Sequence, residues 1–168
     1  MLDQASYLPT SEAVCNGIWK EILRRHFPHP KFIIAPEQRQ TTGKRPDLTI
    51  FHVDDSCDWE PIFTFEGKAP YYIDKDSIIN DGINQAAGYL KSLAWSEDKW
   101  VNEKKKMTYG MLACGKSFMI LQYDVENKQI SRIDPSTQTE RGDFATSSLD
   151  NEAHAFDDFC HDFAASIL

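Results

Sequence analysis

Arg45-Pro46-Asp47-Leu48-Thr49-Ile50-Phe51 and Phe63-Thr64-Phe65-Glu66-Gly67-Lys68 are two apolar segments that carry charge where a strand should be apolar. The acidic run Asp54-Asp55-Ser56-Cys57-Asp58 between them reads as a connection, so the pair is predicted to form a hairpin. Antiparallel neighbours run in opposite directions, which brings Asp47, at the start of one strand, beside the end of the other. Side chains alternate along a strand, so Glu66 and Lys68 share one face while Phe63 and Phe65 take the other. Two carboxylates and an ammonium then converge at one end of a sheet. Lone buried charges are expensive, and a cluster of this kind pairs internally or holds a metal.

Working outward, Ser11 caps a helix through Val14, Ile18, Ile22 and Leu23 that ends near Phe27-Pro28. Phe32-Ile33-Ile34 is a short strand, and Gln38 to Lys44, with Gly43, is a polar loop. Ala69-Pro70 stops the Glu66 strand, and residues 71–77 make an irregular crossing. A second helix is predicted from about Ile79 to Ala94, with Ile83, Ala86, Ala87 and Leu90 on its packing stripe. Met107 to Cys114 and Ser117 to Val125 are strands joined through Gly115-Lys116. Ile130 to Ile133 extends the sheet, and Pro135 to Ser148 is read as a polar surface loop. Ala153 to Leu168 is a closing helix with Phe156, Phe159, Phe163 and Ile167 at core spacing. The order is helix, three strands, helix, two strands, helix, in a single domain over residues 1–168.

A chain of 168 residues, 41% hydrophobic, can bury one sizeable core. No window approaches the roughly 20 apolar residues that span a bilayer. Met1-Leu2-Asp3-Gln4 lacks the basic and apolar regions of a secretory signal, and an intracellular protein, cytoplasmic or nuclear, is expected. Cys15, Cys57, Cys114 and Cys160 are widely spaced, without zinc spacing, as small hydrophobes of a reducing compartment would be. The five histidines, His26, His29, His52, His154 and His161, form no ligand set, and the four tryptophans, Trp19, Trp59, Trp95 and Trp100, read as core. The net charge of −8 counts against simple nucleic-acid binding, because phosphate contacts come largely from Lys and Arg. Positive charge is local, at Lys44-Arg45 beside Asp47 and at Lys104-Lys105-Lys106, the latter also readable as a solvated turn.

Pro46-Asp47 followed nineteen positions later by Glu66-Gly67-Lys68 resembles the PD-(D/E)xK nuclease superfamily. Gln85-Ala86-Ala87-Gly88-Tyr89 on the next helix looks like the QxxxY element of its RecB-like branch, and a separation of four puts Gln85 and Tyr89 on one helical face. The resemblance covers residues 11 to about 125. It implies an α/β fold with a restriction-endonuclease-like α-β-β-β-α-β core, a mixed central sheet and a C-terminal helix. The implied activity is hydrolysis of phosphodiester bonds with Mg²⁺ or Mn²⁺, on DNA ahead of RNA. Asp47 and Glu66 would ligate the metal. Lys68 would orient the attacking water or balance charge on the phosphate, and Gln85 would position either by hydrogen bonding. A further carboxylate from the first helix is implied, with Glu12 first in line and Glu21 or Glu37 as substitutes. Lys44, Arg45 and Tyr89 would contact nucleic acid, Tyr89 by stacking or by packing nearby. The small size implies a minimal enzyme, or a module working with a protein partner or as a homodimer; no membrane is involved.

Blander readings stand beside these. Asp47 can cap the turn after Pro46. Glu66 and Lys68 can form an exposed cross-strand pair, which contributes under about 1 kcal/mol. Glu12 can simply favour the positive end of its helix. Two other functions fit the same residues: a catalytically inactive nuclease fold kept for binding or assembly, and a toxin-like effector nuclease.

Overall fold

The computed structural model describes residues 11–40, 42–94 and 105–168. Expectations for Met1-Leu2-Asp3-Gln4, Trp95, Trp100 and Lys104 lie outside these residues. Helix α1 spans Glu12–His26, and the Ser11 hydroxyl accepts the Val14 amide at 3.3 Å, as the sequence predicts. It buries Cys15, Trp19 and Leu23 and closes on arginines and a histidine, which suit the negative end of a helix.

Strands β1 (Phe32–Pro36), β2 (Leu48–Val53) and β3 (Trp59–Lys68) form an antiparallel meander, and the β2–β3 hairpin is the one expected. A register shift between Ile50 and Phe51 bends β2. Beyond β3, a 3₁₀ turn over Pro70–Tyr72 leads into helix α2, Asp76–Leu93. Strand β4 (Met107–Cys114) returns parallel to β3, with Glu66 opposite Leu112 and Lys68 opposite Cys114. A parallel neighbour demands a long crossover, and α2 fills it.

The sheet then continues antiparallel through β5 (Ser117–Asp124), β6 (Gln129–Asp134) and β7 (Thr139–Arg141), with β8 (Ser147–Ser148) against β5. Among the described residues the fold is therefore α/β, a mixed eight-stranded sheet with three helices. Helices α1 and α3 (Leu149–Ile167) cover one face, where Trp19, Leu23, Phe27, Phe63, Phe65, Phe118 and Phe156 meet. Helix α2 covers the other with Ile83, Ala86, Leu90 and Leu93 against Leu112, Met119 and Leu121. Fully burying one such aliphatic or phenyl side chain stabilises by about 1.5–3 kcal/mol. No described helix is long and apolar enough to cross a membrane.

Trp59, expected in the core, and Cys57, expected as a small buried hydrophobe, are both exposed at the β2–β3 hairpin connection, and three boundary expectations also need correction. Helix α2 starts at Asp76 rather than Ile79, since polar Asp76 and Ser77 hide the first turn from an apolar pattern. The polar stretch Pro135 to Ser148 contains β7 and β8, held to the sheet where Arg132 Nη2 donates to Asp143 Oδ1 at 2.7 Å. Helix α3 begins at Leu149, not Ala153: Ser148 Oγ accepts from the Asp150 amide, and Glu152 Oε2 accepts from the Ser148 amide in return.

Candidate active site

The register that sets Leu48 opposite Phe65 puts Asp47, one residue before β2, level with Glu66 on β3. Asp47 Oδ2 accepts the Gly67 amide hydrogen at 2.8 Å, which ties the two strand ends together. Glu66 and Lys68 face α2 while Phe63 and Phe65 enter the opposite core, so the predicted alternation holds. Lys68 Nζ donates to Glu66 Oε1 at 2.6 Å and to Gln85 Oε1 at 2.9 Å. Asp47, Glu66, Lys68 and Gln85 are thus brought together from β2, β3 and α2. This is no exposed surface pair: the Glu66 side chain is 7% exposed and that of Lys68 13%.

The electrostatics follow from burial. Glu66 is pushed above its ordinary 4.5, first by desolvation and then by the Asp47 charge, with Lys68 opposing both. Desolvation pulls Lys68 down, but Glu66, Glu12 and Asp47 outweigh it and hold the ammonium above its ordinary value. Lys68 therefore stays protonated at neutral pH and is a positive donor, not a base. Tyr89, on the inner side of α2, is buried, its phenol raised by burial, by the Glu66 charge and hydrogen bond, and by the Asp47 charge. It packs at the site instead of offering an open face for stacking. Glu66 Oε2 is buried and makes no hydrogen bond of ordinary geometry among the described residues.

Glu66 carries a pH prediction. A folded pKa raised above the unfolded one gives stability that is complete below the unfolded value and declines as pH rises through the folded value. Glu66→Gln removes that decline. Thermal melts in a chelator should show the variant gaining on the parent as pH rises above 4.5. A gap that shrinks over that range contradicts the burial account.

The other expected residues fall as follows. Glu12 lies near enough to act on Lys68 through space, yet it is exposed at the first turn of α1. Among the described residues no group of three or more His, Cys, Asp and Glu side chains stands ready to hold a metal, so Glu12 does not close a three-carboxylate set here. Glu21 and Glu37 are exposed on α1 and after β1. Lys44 reaches α2 and lies over Gly88, and Arg45 is exposed beside it. His52 packs on Phe32, and His26 pairs with Asp157 at 3.0 Å.

Sequence reasoning missed Asn16. Its Oδ1 sits on Gly67, where a Cβ would collide with it and lie 2.9 Å from Cγ. Gly67 thus lets α1 press on the backbone between the two charged residues. The only signal was a glycine between Glu66 and Lys68. A separate cavity of about 560 Å³, lined by Ile18, Trp19, Ile22, Pro70 and Leu149, is apolar, and its rim charges Lys116 and Asp150 pair with each other at 2.9 Å. The converging charge lies elsewhere, at the carboxyl ends of β3 and β4.

The chain is thus an α/β protein with a carboxylate–ammonium–amide cluster, built around the buried Glu66, where its sheet turns from antiparallel to parallel. Comparison with models of protein families, with curated proteins and with solved structures finds no match.

Proposed function

We propose that this chain is a divalent-metal-dependent nuclease of the PD-(D/E)xK type, hydrolysing phosphodiester bonds of DNA in preference to RNA. The observation that carries the reading is the Asp47–Glu66–Lys68–Gln85 cluster, assembled from three elements around the buried Glu66, with Asp47 and Lys68 half-buried and Gln85 exposed at its edge. The element order α1-β1-β2-β3-α2-β4, an antiparallel meander followed by a parallel strand across a helix, agrees with the restriction-endonuclease-like core that the motifs imply.

Mg²⁺ or Mn²⁺ fits the residues present. Glu66 Oε1 is taken by Lys68, while the buried Oε2 makes no hydrogen bond of ordinary geometry among the described residues and the Tyr89 phenol is drawn to the carboxylate. Such hard cations are commonly held by one or two carboxylates, with waters and substrate phosphate completing the shell. Asp47 and Glu66 would hold the ion, which supplies polarisation of the phosphate and a more acidic water. Asp47 keeps β2 in place against Gly67 through its other oxygen. Lys68, protonated, offers an N–H to charge developing on the phosphate. Gln85 fixes Lys68 by accepting one of its hydrogens, and so aims the ammonium. The preference for DNA rests on analogy with the resembling RecB-like branch.

The test is a plasmid incubated with purified chain and Mg²⁺ or Mn²⁺, run beside a chelator control. Nicking or linearisation that needs the cation is expected. An intact plasmid under both ions, with a folded protein, defeats the proposal; binding without cleavage would favour the binding-module reading instead.

A further inference from the structure

The segment between β1 and β2 is a built loop. The Gly43 amide donates to the Gln40 carbonyl at 2.8 Å and the Gln40 amide to the Lys44 carbonyl at 2.8 Å, closing a tight reversal. That reversal is fastened to α2 at three places. Gln40 Nε2 donates to the Tyr89 carbonyl at 3.1 Å, and the Thr42 and Ser92 hydroxyls share a hydrogen bond of 2.6 Å. The third is Lys44, whose ammonium occupies the space that a side chain at Gly88 would fill; a Cβ there would strike Nζ and come within 3.1 Å of Cε. Glycine inside a helix weakens it, so a notch at this place has a use.

The loop carries Arg39, Lys44 and Arg45, all exposed. Among the described residues none of the three forms an ion pair. Other cations do: Lys31 with Asp55, Lys68 with Glu66, Lys105 with Glu60, Lys116 with Asp150 and Arg132 with Asp143. On a chain of net charge −8, the loop sets three exposed cations beside the helix that carries Gln85, and one of them, Lys44, is seated over Gly88.

We infer that this loop is a phosphate-binding rim, with Lys44 seated in the Gly88 notch to grip a backbone phosphate of the polynucleotide next to the one cleaved. The inference rests on the nuclease reading for its substrate. Gly88 follows Gln85 by three residues, roughly 4.5 Å along the helix axis. A duplex strand presents one phosphate per about 3.4 Å of its axis, so neighbouring phosphates match the two positions. Contacts from Lys and Arg to phosphate read no bases, so the rim gives affinity and register without sequence preference.

The experiment measures anisotropy of a labelled DNA duplex, with a matching RNA duplex as a second arm, in chelator over 50 to 200 mM salt. Lys44→Ala should weaken DNA binding several-fold and flatten the salt dependence by about one unit of slope. Gly88→Ala keeps the net charge and improves helix propensity, yet it evicts Lys44 and should weaken binding without lowering the melting temperature. Lys31→Ala and Lys116→Ala remove paired cations elsewhere and should leave binding unchanged. If Lys44→Ala and Gly88→Ala bind as the parent does, or if the parent binds neither duplex, the rim is refuted. Loss confined to the RNA arm also refutes it as a DNA grip. Plasmid cleavage by the same preparation separates the two ideas. Cleavage with Lys44-independent binding keeps the nuclease and rejects the rim; Lys44-dependent binding without cleavage does the reverse.

Discussion

Lys68→Ala is expected to lower metal-dependent cleavage by about 10²–10³-fold, the range seen when one aimed donor to a developing oxyanion is removed. The ammonium is pinned by Glu66 Oε1 and Gln85 Oε1, so its position is set before substrate arrives. The loss should appear in kcat with KM little changed, since Lys68 is aimed at charge that grows during reaction. Gln85→Ala frees the ammonium without deleting it and should give a smaller loss. Asp47→Asn is the companion variant: it keeps an oxygen for the Gly67 amide while halving the carboxylate pair, and should abolish cation dependence together with cleavage. If Lys68→Ala cleaves within a factor of two of the parent, the ammonium has no part in the chemistry and the site needs another reading.

Trp19→Ala is expected to cost about 3–5 kcal/mol of stability, the largest effect of any single truncation in this core. Trp19 is 1% exposed and its ring meets Phe65, Phe118 and Phe156 at centroid distances of 6.1, 5.8 and 5.6 Å. Its Nε1 also donates to the Gly115 carbonyl at 2.8 Å, so truncation leaves both a cavity and an orphaned acceptor at the β4–β5 turn. Domains are stable by only about 5–15 kcal/mol, so this one change removes a large share. Urea denaturation should place the midpoint well below that of the parent with an unchanged slope. A loss under about 1 kcal/mol would mean that α1 is not anchored through this ring.

The hairpin and its charges were legible because periodicity two and charge position are both local. Asp47, Glu66 and Lys68 could be placed from alternation and strand direction alone, whereas Gln85 was reached only through the resemblance to the QxxxY element. Strands β7 and β8 were not legible, because three- and two-residue strands have no period to read; their pairing to β6 and β5, with Arg132 bound to Asp143 between them, is a tertiary matter. The start of α3 was hidden for a related reason, since its cap relies on Glu152 leaving helical geometry (φ −125) to reach back to Ser148. Glu12 is a case where the sequence offered several carboxylates on or near one helix and nothing local ranked them. The loop on α2 was read as polar, with Lys44 a nucleic-acid contact by resemblance, and its attachment to the helix was not foreseen. Its fastening depends on Gln40, Thr42 and Gly88 meeting residues about fifty positions away, and no local pattern encodes such meetings.

The parallel β3–β4 pair has a consequence for synthesis. Every side chain assigned to the cluster is already present once the ribosome has passed residue 89, but β3 gains its inner neighbour only when Met107–Cys114 has emerged. A nascent or prematurely terminated chain therefore owns all the reactive groups and lacks the strand that holds two of them still. The cluster is held from both sides only once Met107–Cys114 has joined the sheet.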